Sequence, residues 1–169
     1  NTIIHELTHG TIFVKDSLRL NENIASFIGN KGATLFLENK YGIGSLEVRG
    51  YRRYLADRKK YIDHMLRGTN QLKSLYESFS GDMNYQTKTK KKNELIKKIV
   101  ATTDTLTLET AQYQKLVKKL QKRDELPNNT FFKSYVRYQA KAENLEKEFR
   151  EQFGGDIKQY LAYLKEKYG

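Results

Sequence analysis

The chain has 169 residues, no cysteine and a single proline. That length suits one domain, or one part of a larger one, with a core of its own. Disulfides are excluded, and no apolar run approaches the roughly 20 residues a membrane-spanning helix needs.

The net charge of +11 is uneven. Residues 1–50 hold five Lys/Arg and five Asp/Glu, whereas residues 87–123 hold eleven Lys/Arg against Glu94, Asp104 and Glu109. A charge-driven role therefore belongs to that later segment, if to any.

Near the start, His5-Glu6-Leu7-Thr8-His9 reads HExxH, the two-histidine zinc motif of metallopeptidases. On a helix, residues four apart lie on one face a turn apart, so both imidazoles reach one ion. Glu6 lies about 100° round the helix from His5 and can face a water at that ion without ligating it. The composition, with three His, gives roughly 0.004 chance matches to the pattern, so it is not accidental. The helix is expected from Thr2 to about Val14, with Ile3, Ile4, Leu7 and Ile12 on its apolar side. It has no visible cap and hardly a turn before its first ligand. We therefore expect the chain to be the C-terminal portion of a longer protein.

Lys15 to Leu20 reads as a connection, and Asn21 as the N-cap of a second helix to about Leu37. Glu22, in its first turn, is the favoured third zinc ligand. The HExxHxxGxxH arrangement is excluded, because Ile12 and Lys15 occupy the positions of its glycine and third ligand. Asp16 is the rival by reach, though an acid there is more often a turn residue. Ala25, Gly29, Gly32 and Ala33 follow Glu22 at helical spacing. Such a small-residue stripe lets two helices approach closely, as a carboxylate sharing an ion with histidines on another helix requires.

After a glycine-marked turn at 42–44, a long helix is expected from about Ser45 to Phe79, with an apolar stripe through Tyr51, Leu55, Ile62, Met65, Leu66, Leu72, Tyr76 and Phe79. His64 falls beside that stripe and reads as structural more readily than as a ligand. A second arm follows from about Lys90 to Arg123, with Leu95, Ile99, Leu106, Tyr113, Leu116, Val117 and Leu120 inward. Four threonines between 102 and 107 mark a break. Lys90, Lys91, Lys92, Lys97 and Lys98 are expected on the solvent side. The two arms make an antiparallel hairpin. Pro127 ends it, Asn129 or Thr130 caps a helix to Phe153, and Gly154-Gly155-Asp156 leads into a last helix from Ile157 to Tyr168. The expected fold is all-α: a zinc-binding helix pair at 1–40, a long hairpin at 45–125, and C-terminal helices at 126–169 completing the catalytic region.

Ile3-Ile4-His5-Glu6-Leu7-Thr8-His9, Phe13-Val14-Lys15-Asp16 and Asn21-Glu22-Asn23-Ile24-Ala25-Ser26-Phe27-Ile28-Gly29 resemble a family of bacterial zinc aminopeptidases. Its usual string is close to IIHELAH…YVK…FNESFAT. Leu20 stands where Phe is common in that family, and Phe36-Leu37 where Trp-Leu is common. The Asn21-Glu22 pair also resembles the glutamate-zincin arrangement of thermolysin-like peptidases, with a shorter gap from His9. Further on, Asn128-Asn129, Tyr138, Phe149 and Gly154-Gly155-Asp156-Ile157 resemble the family's NNA…TY…F…GGDL blocks.

The resemblance implies zinc peptide hydrolysis by a metal-activated water, with His5, His9 and Glu22 as ligands and Glu6 as general base. Exopeptidase action rests on it alone. Zinc peptidases also need a donor for the oxyanion formed on attack. Tyr138, in the resembling block, is the candidate, with Tyr135 one turn away in reserve and Asn21, Asn128 and Asn129 in support. The implied partner is a peptide substrate, together with the missing N-terminal portion, and the implied location is the bacterial cell envelope or periplasm. The alternative is a non-catalytic binding module, with a structural zinc site and a basic hairpin docked on an anionic surface. Nucleic acid is the weaker reading of that surface, because tyrosines at core spacing are more often packed than offered for stacking.

Overall fold

In a computed structural model, the chain is all-helical. The structure describes residues 1–168, leaving out the side chains of residues 137–142. Among the described residues, seven α-helices follow one another: α1 Thr2–His9, α2 Leu18–Tyr41, α3 Leu46–Glu77, α4 Tyr85–Ala101, α5 Ala111–Gln121, α6 Asn129–Phe153 and α7 Ile157–Tyr168. They form two compact units, one of residues 1–49 and 137–169, the other of residues 50–136.

The first unit holds the motif. Its helix is shorter than the sequence suggests, ending at His9 rather than near Val14. The Gly10 amide closes the last turn on the Glu6 and Thr8 carbonyls, and the Ile12 amide takes the Thr8 carbonyl at 2.8 Å. Glycine, then β-branched Thr11 and Ile12, favour leaving the helix there. Ile12, now in the connection, is 2% exposed, whereas Ile3 and Leu7 are 76% and 65% exposed. The apolar side expected for α1 is thus only partly buried. Asp16 makes the turn with φ of 57°, a left-handed conformation that aspartate tolerates better than most residues.

The second helix begins four residues earlier than expected, with Ser17 rather than Asn21 at its N-cap and Asn21 inside it. Ile24, Phe27 and Ile28 pack with Leu145, Phe149 and Tyr160 from the C-terminal helices. Gly154 and Gly155 both have positive φ, and the Gly155 amide reaches back to the Phe149 carbonyl at 3.1 Å, a Schellman closure. Asp156 then caps α7, accepting from the Lys158 and Gln159 amides at 2.8 and 3.1 Å. Glu148 gathers the hydroxyls of Tyr160 and Tyr163 and the Lys167 ammonium.

The second unit is the hairpin. Asp57 bonds to Thr110, Lys60 to the Thr107 carbonyl and His64 to the Ile99 carbonyl, so the two arms run antiparallel. Asn84 caps α4 by accepting from the Thr87 amide at 2.8 Å, which starts the arm five residues before Lys90. The expected break is present: residues 102–105 form a 3-10 turn before α5. The buried stripe of α3 runs through Asp57, Tyr61, His64, Met65, Gly68 and Leu72, rotated from the apolar stripe read off the sequence. Gly68 is required there, because a Cβ would come within 2.6 Å of the Ile99 side chain. Two residues of the second arm differ from expectation. Leu116 is 41% exposed, and Lys92 is half-buried while Lys90, Lys91, Lys97 and Lys98 are exposed. Asn128, rather than Asn129 or Thr130, caps α6, through the Phe131 amide at 3.0 Å.

Candidate metal centre

Helix α1 lies along α2, and the contact depends on the small residues of α2. Ala25 is fully buried. A Cβ on Gly29 would stand 3.4 Å from the His5 Cβ, and one on Gly32 would meet two carbons of Ile4 at 3.1 Å. Glycine inside a helix costs about 1 kcal/mol relative to alanine, and here it allows the backbone carrying His5 to approach closely.

Asn21 fixes the connection between the helices. Its Oδ1 accepts from the Val14 amide at 2.7 Å, and its Nδ2 donates to the Val14 carbonyl at 3.0 Å. Both polar groups of one peptide segment are thus held by a side chain that is 5% exposed. Asn23, next along, donates to the Arg19 carbonyl at 2.6 Å and is likewise buried. With the connection pinned at Val14, Glu22 is carried to the face of α1 that bears the histidines.

There three side chains converge. The Nε2 atoms of His5 and His9 are 3.2 Å apart, with the rings nearly perpendicular. One Glu22 oxygen lies 3.6 Å from His5 Nε2 and the other 3.3 Å from His9 Nε2. A tetrahedral zinc with ligand bonds near 2.0–2.1 Å separates its ligand atoms by about 3.3 Å; the His–His spacing is close to that, and one ligand atom from each of the three residues can be chosen with all within 4.8 Å of one another. Two imidazole nitrogens and a carboxylate oxygen also form a recognised zinc donor set. The residues therefore fit a metal ion. Side-chain exposures of 19%, 28% and 36% for His5, His9 and Glu22 leave one side of the cluster open to solvent. His5, His9 and Glu22 are the one group of this kind among the described residues; Asp16 is exposed and does not join it.

Glu6 is exposed and stands outside the cluster on α1. Its position, one residue after His5 and three before His9, leaves its carboxylate free of ligation. The Tyr138 side chain lies outside the described residues. Tyr135 belongs to the 50–136 unit, where its hydroxyl meets that of Tyr61 at 3.3 Å and burial pushes its pKa up. Asn128 and Asn129 are in that unit too, Asn128 as the α6 cap and Asn129 accepting from the Tyr76 hydroxyl at 2.6 Å. His64 is buried there, with Nε2 2.9 Å from the Ile99 carbonyl oxygen, the structural role the sequence favours.

A family model described as "Putative aminopeptidase" matches residues 1–167. No curated protein and no solved structure matches the chain.

Proposed function

Because the chain belongs to the family described as "Putative aminopeptidase", we propose that it is a zinc-dependent metallopeptidase acting from the free amino end of peptides. The observation that carries this reading is the convergence of His5, His9 and Glu22, with a ligand atom from each within 4.8 Å of the others. The three residues would hold the ion on a side of the cluster that is partly open to solvent. Zinc supplies Lewis-acid polarisation of the scissile carbonyl and lowers the pKa of a water to near 7.

Glu6 takes the proton released as water attacks the carbonyl and later delivers it to the leaving amine. An acid at this place has no purpose in a purely structural metal site, which is why catalysis is favoured over a binding role. Tyr138 donates to the developing oxyanion, by the family's sequence pattern and the chemistry's need for such a donor.

The test compares peptides with free and acetylated amino ends, in wild type and Glu6→Gln. Wild-type protein is expected to cleave the free-amino peptides, to lose that activity to a chelator and to regain it with zinc. Glu6→Gln is expected to keep its metal and lose turnover by at least about 10²-fold. Preference for the acetylated peptides would overturn the exopeptidase assignment. Unchanged turnover in Glu6→Gln would overturn the assignment of the base.

A further inference from the structure

Nearly all the net charge resides in one of the two compact units. Residues 50–136 hold 19 Lys/Arg against nine Asp/Glu, whereas the remaining residues hold 12 against 11. The unit with the candidate metal cluster is, by itself, close to neutral.

Two helices of this unit are lysine-rich, α4 and α5, and of the two only α5 carries no acidic residue. This helix turns Tyr113, Val117 and Leu120 into the core. Lys115, Lys118, Lys119 and Lys122 recur at i, i+3, i+4 and i+7 on the opposite side, and all four are exposed. The helix contains no acidic residue, and none of the four lysines has an ion-pair partner among the described residues. Like charges at this spacing repel along a helix, so the face is maintained against its own electrostatics.

The composition of the face selects among polyanions. Residues 87–123 carry ten lysines and one arginine. Lysine is a compact, hydrated point charge suited to the diffuse potential of an anionic membrane, whereas arginine serves the bidentate recognition of phosphates and base edges. The one tyrosine on α5, Tyr113, is buried and offers no stacking platform for single strands, and the exposed Tyr85 belongs to α4. Tyr54, Tyr61, Tyr113 and Tyr135 pack on one another within the unit, with Tyr61 and Tyr113 buried.

We propose that the lysine face of α5, formed by Lys115, Lys118, Lys119 and, at its C-cap, Lys122, docks the protein on an anionic lipid bilayer. This goes beyond the peptidase reading and does not rest on it.

Vesicle co-sedimentation tests the proposal, using phosphatidylcholine with about one-third phosphatidylglycerol and, separately, phosphatidylcholine alone. Wild-type protein is expected to bind the anionic vesicles only, with an affinity that falls as added salt shortens the Debye length. Each lysine contributes roughly five-fold to the partition, so K115Q/K118Q/K119Q/K122Q is expected to weaken binding by at least about 100-fold. Its melting temperature should not fall, since the four side chains are exposed. A control, K15Q/K158Q/K165Q, removes three exposed lysines from the other unit and should leave binding within about two-fold. Glu6→Gln is expected to bind vesicles as wild type does, so this idea and the peptidase reading fail separately. The proposal is overturned by absence of binding to anionic vesicles, by equal binding to neutral ones, or by an equal loss in the control. Tighter binding to a single-stranded oligonucleotide at matched salt would also overturn it.

Discussion

Asp57 holds Thr110 twice: one carboxylate oxygen accepts both the Thr110 amide and its hydroxyl, each at 2.7 Å, across 53 residues of chain. The Glu109 amide adds a third bond to the same oxygen at 2.9 Å. These donors lie at the start of α5, where unpaired amides and the helix dipole favour an anion. Burial raises the Asp57 pKa, but the Thr110 and Glu109 donors and the Lys60 ammonium together outweigh it, and the net shift is downward.

A carboxylate with a lowered folded pKa stabilises the fold above its unfolded pKa and loses that contribution as pH falls through the folded value. The wild-type protein is therefore expected to lose stability as pH drops below about 4. Asp57→Asn should cost about 1–3 kcal/mol at neutral pH, and its stability should vary less with pH in that acid range. Urea unfolding at a series of pH values checks both. Equal acid sensitivity in the variant would remove Asp57 from the account.

The metal cluster gives a second prediction. Purified protein should carry close to one zinc per chain, and His5→Ala, His9→Ala and Glu22→Ala should each lose it, measured by metal analysis and competition with a chromophoric chelator. Asp16→Ala should retain it. If Glu22→Ala bound zinc as wild type does and Asp16→Ala did not, the third ligand would be Asp16.

The helix pair gives a third. Gly32→Val places bulk where a Cβ already meets Ile4 at 3.1 Å, so α1 must shift from α2. Overpacking of this kind costs about 1–3 kcal/mol, and zinc affinity should fall with it. Adding Ile4→Ala makes room and should restore a large part of that affinity. No rescue would mean that close approach at Gly32 does not govern the cluster.

Tyr138 gives the fourth. Tyr138→Phe is expected to lower kcat by roughly 10²–10³ at near-constant zinc content and melting temperature. Wild-type turnover in that variant would leave the oxyanion donor unassigned.

Much of this architecture was legible in the sequence because it follows from chemistry with a fixed period. Two histidines four apart with an intervening acid define a helical face, and the Ala25-Gly29-Gly32-Ala33 stripe announces a close neighbour; the structure brings His5, His9 and Glu22 together. The helical character of both hairpin arms and the threonine break followed from periodicity and propensity. The phase of α3 did not. Asp57, His64 and Gly68 sit in the buried stripe, and a count of apolar residues passes over all three. Asn21 was misread for a related reason. Asparagine near a helix start ordinarily signals a cap, and its true partner, Val14, lies seven residues back. Local rules describe a residue's own turn and are blind to contacts made by a folded connection.

The Asn21–Val14 clamp has a consequence for how the centre assembles. All three candidate ligands fall within residues 5–22, so bringing them together closes only a short loop. The entropy of loop closure grows with the logarithm of loop length, and contacts of small sequence separation form early in folding. The clamp then holds this segment in its closed form. The three candidate ligands can thus come together before the hairpin is complete. The same locality limits what a bound ion would contribute to global stability, since it would cross-link no distant parts of the chain. Chelation is accordingly expected to lower the thermal midpoint only modestly, leaving the 50–136 unit largely unaffected.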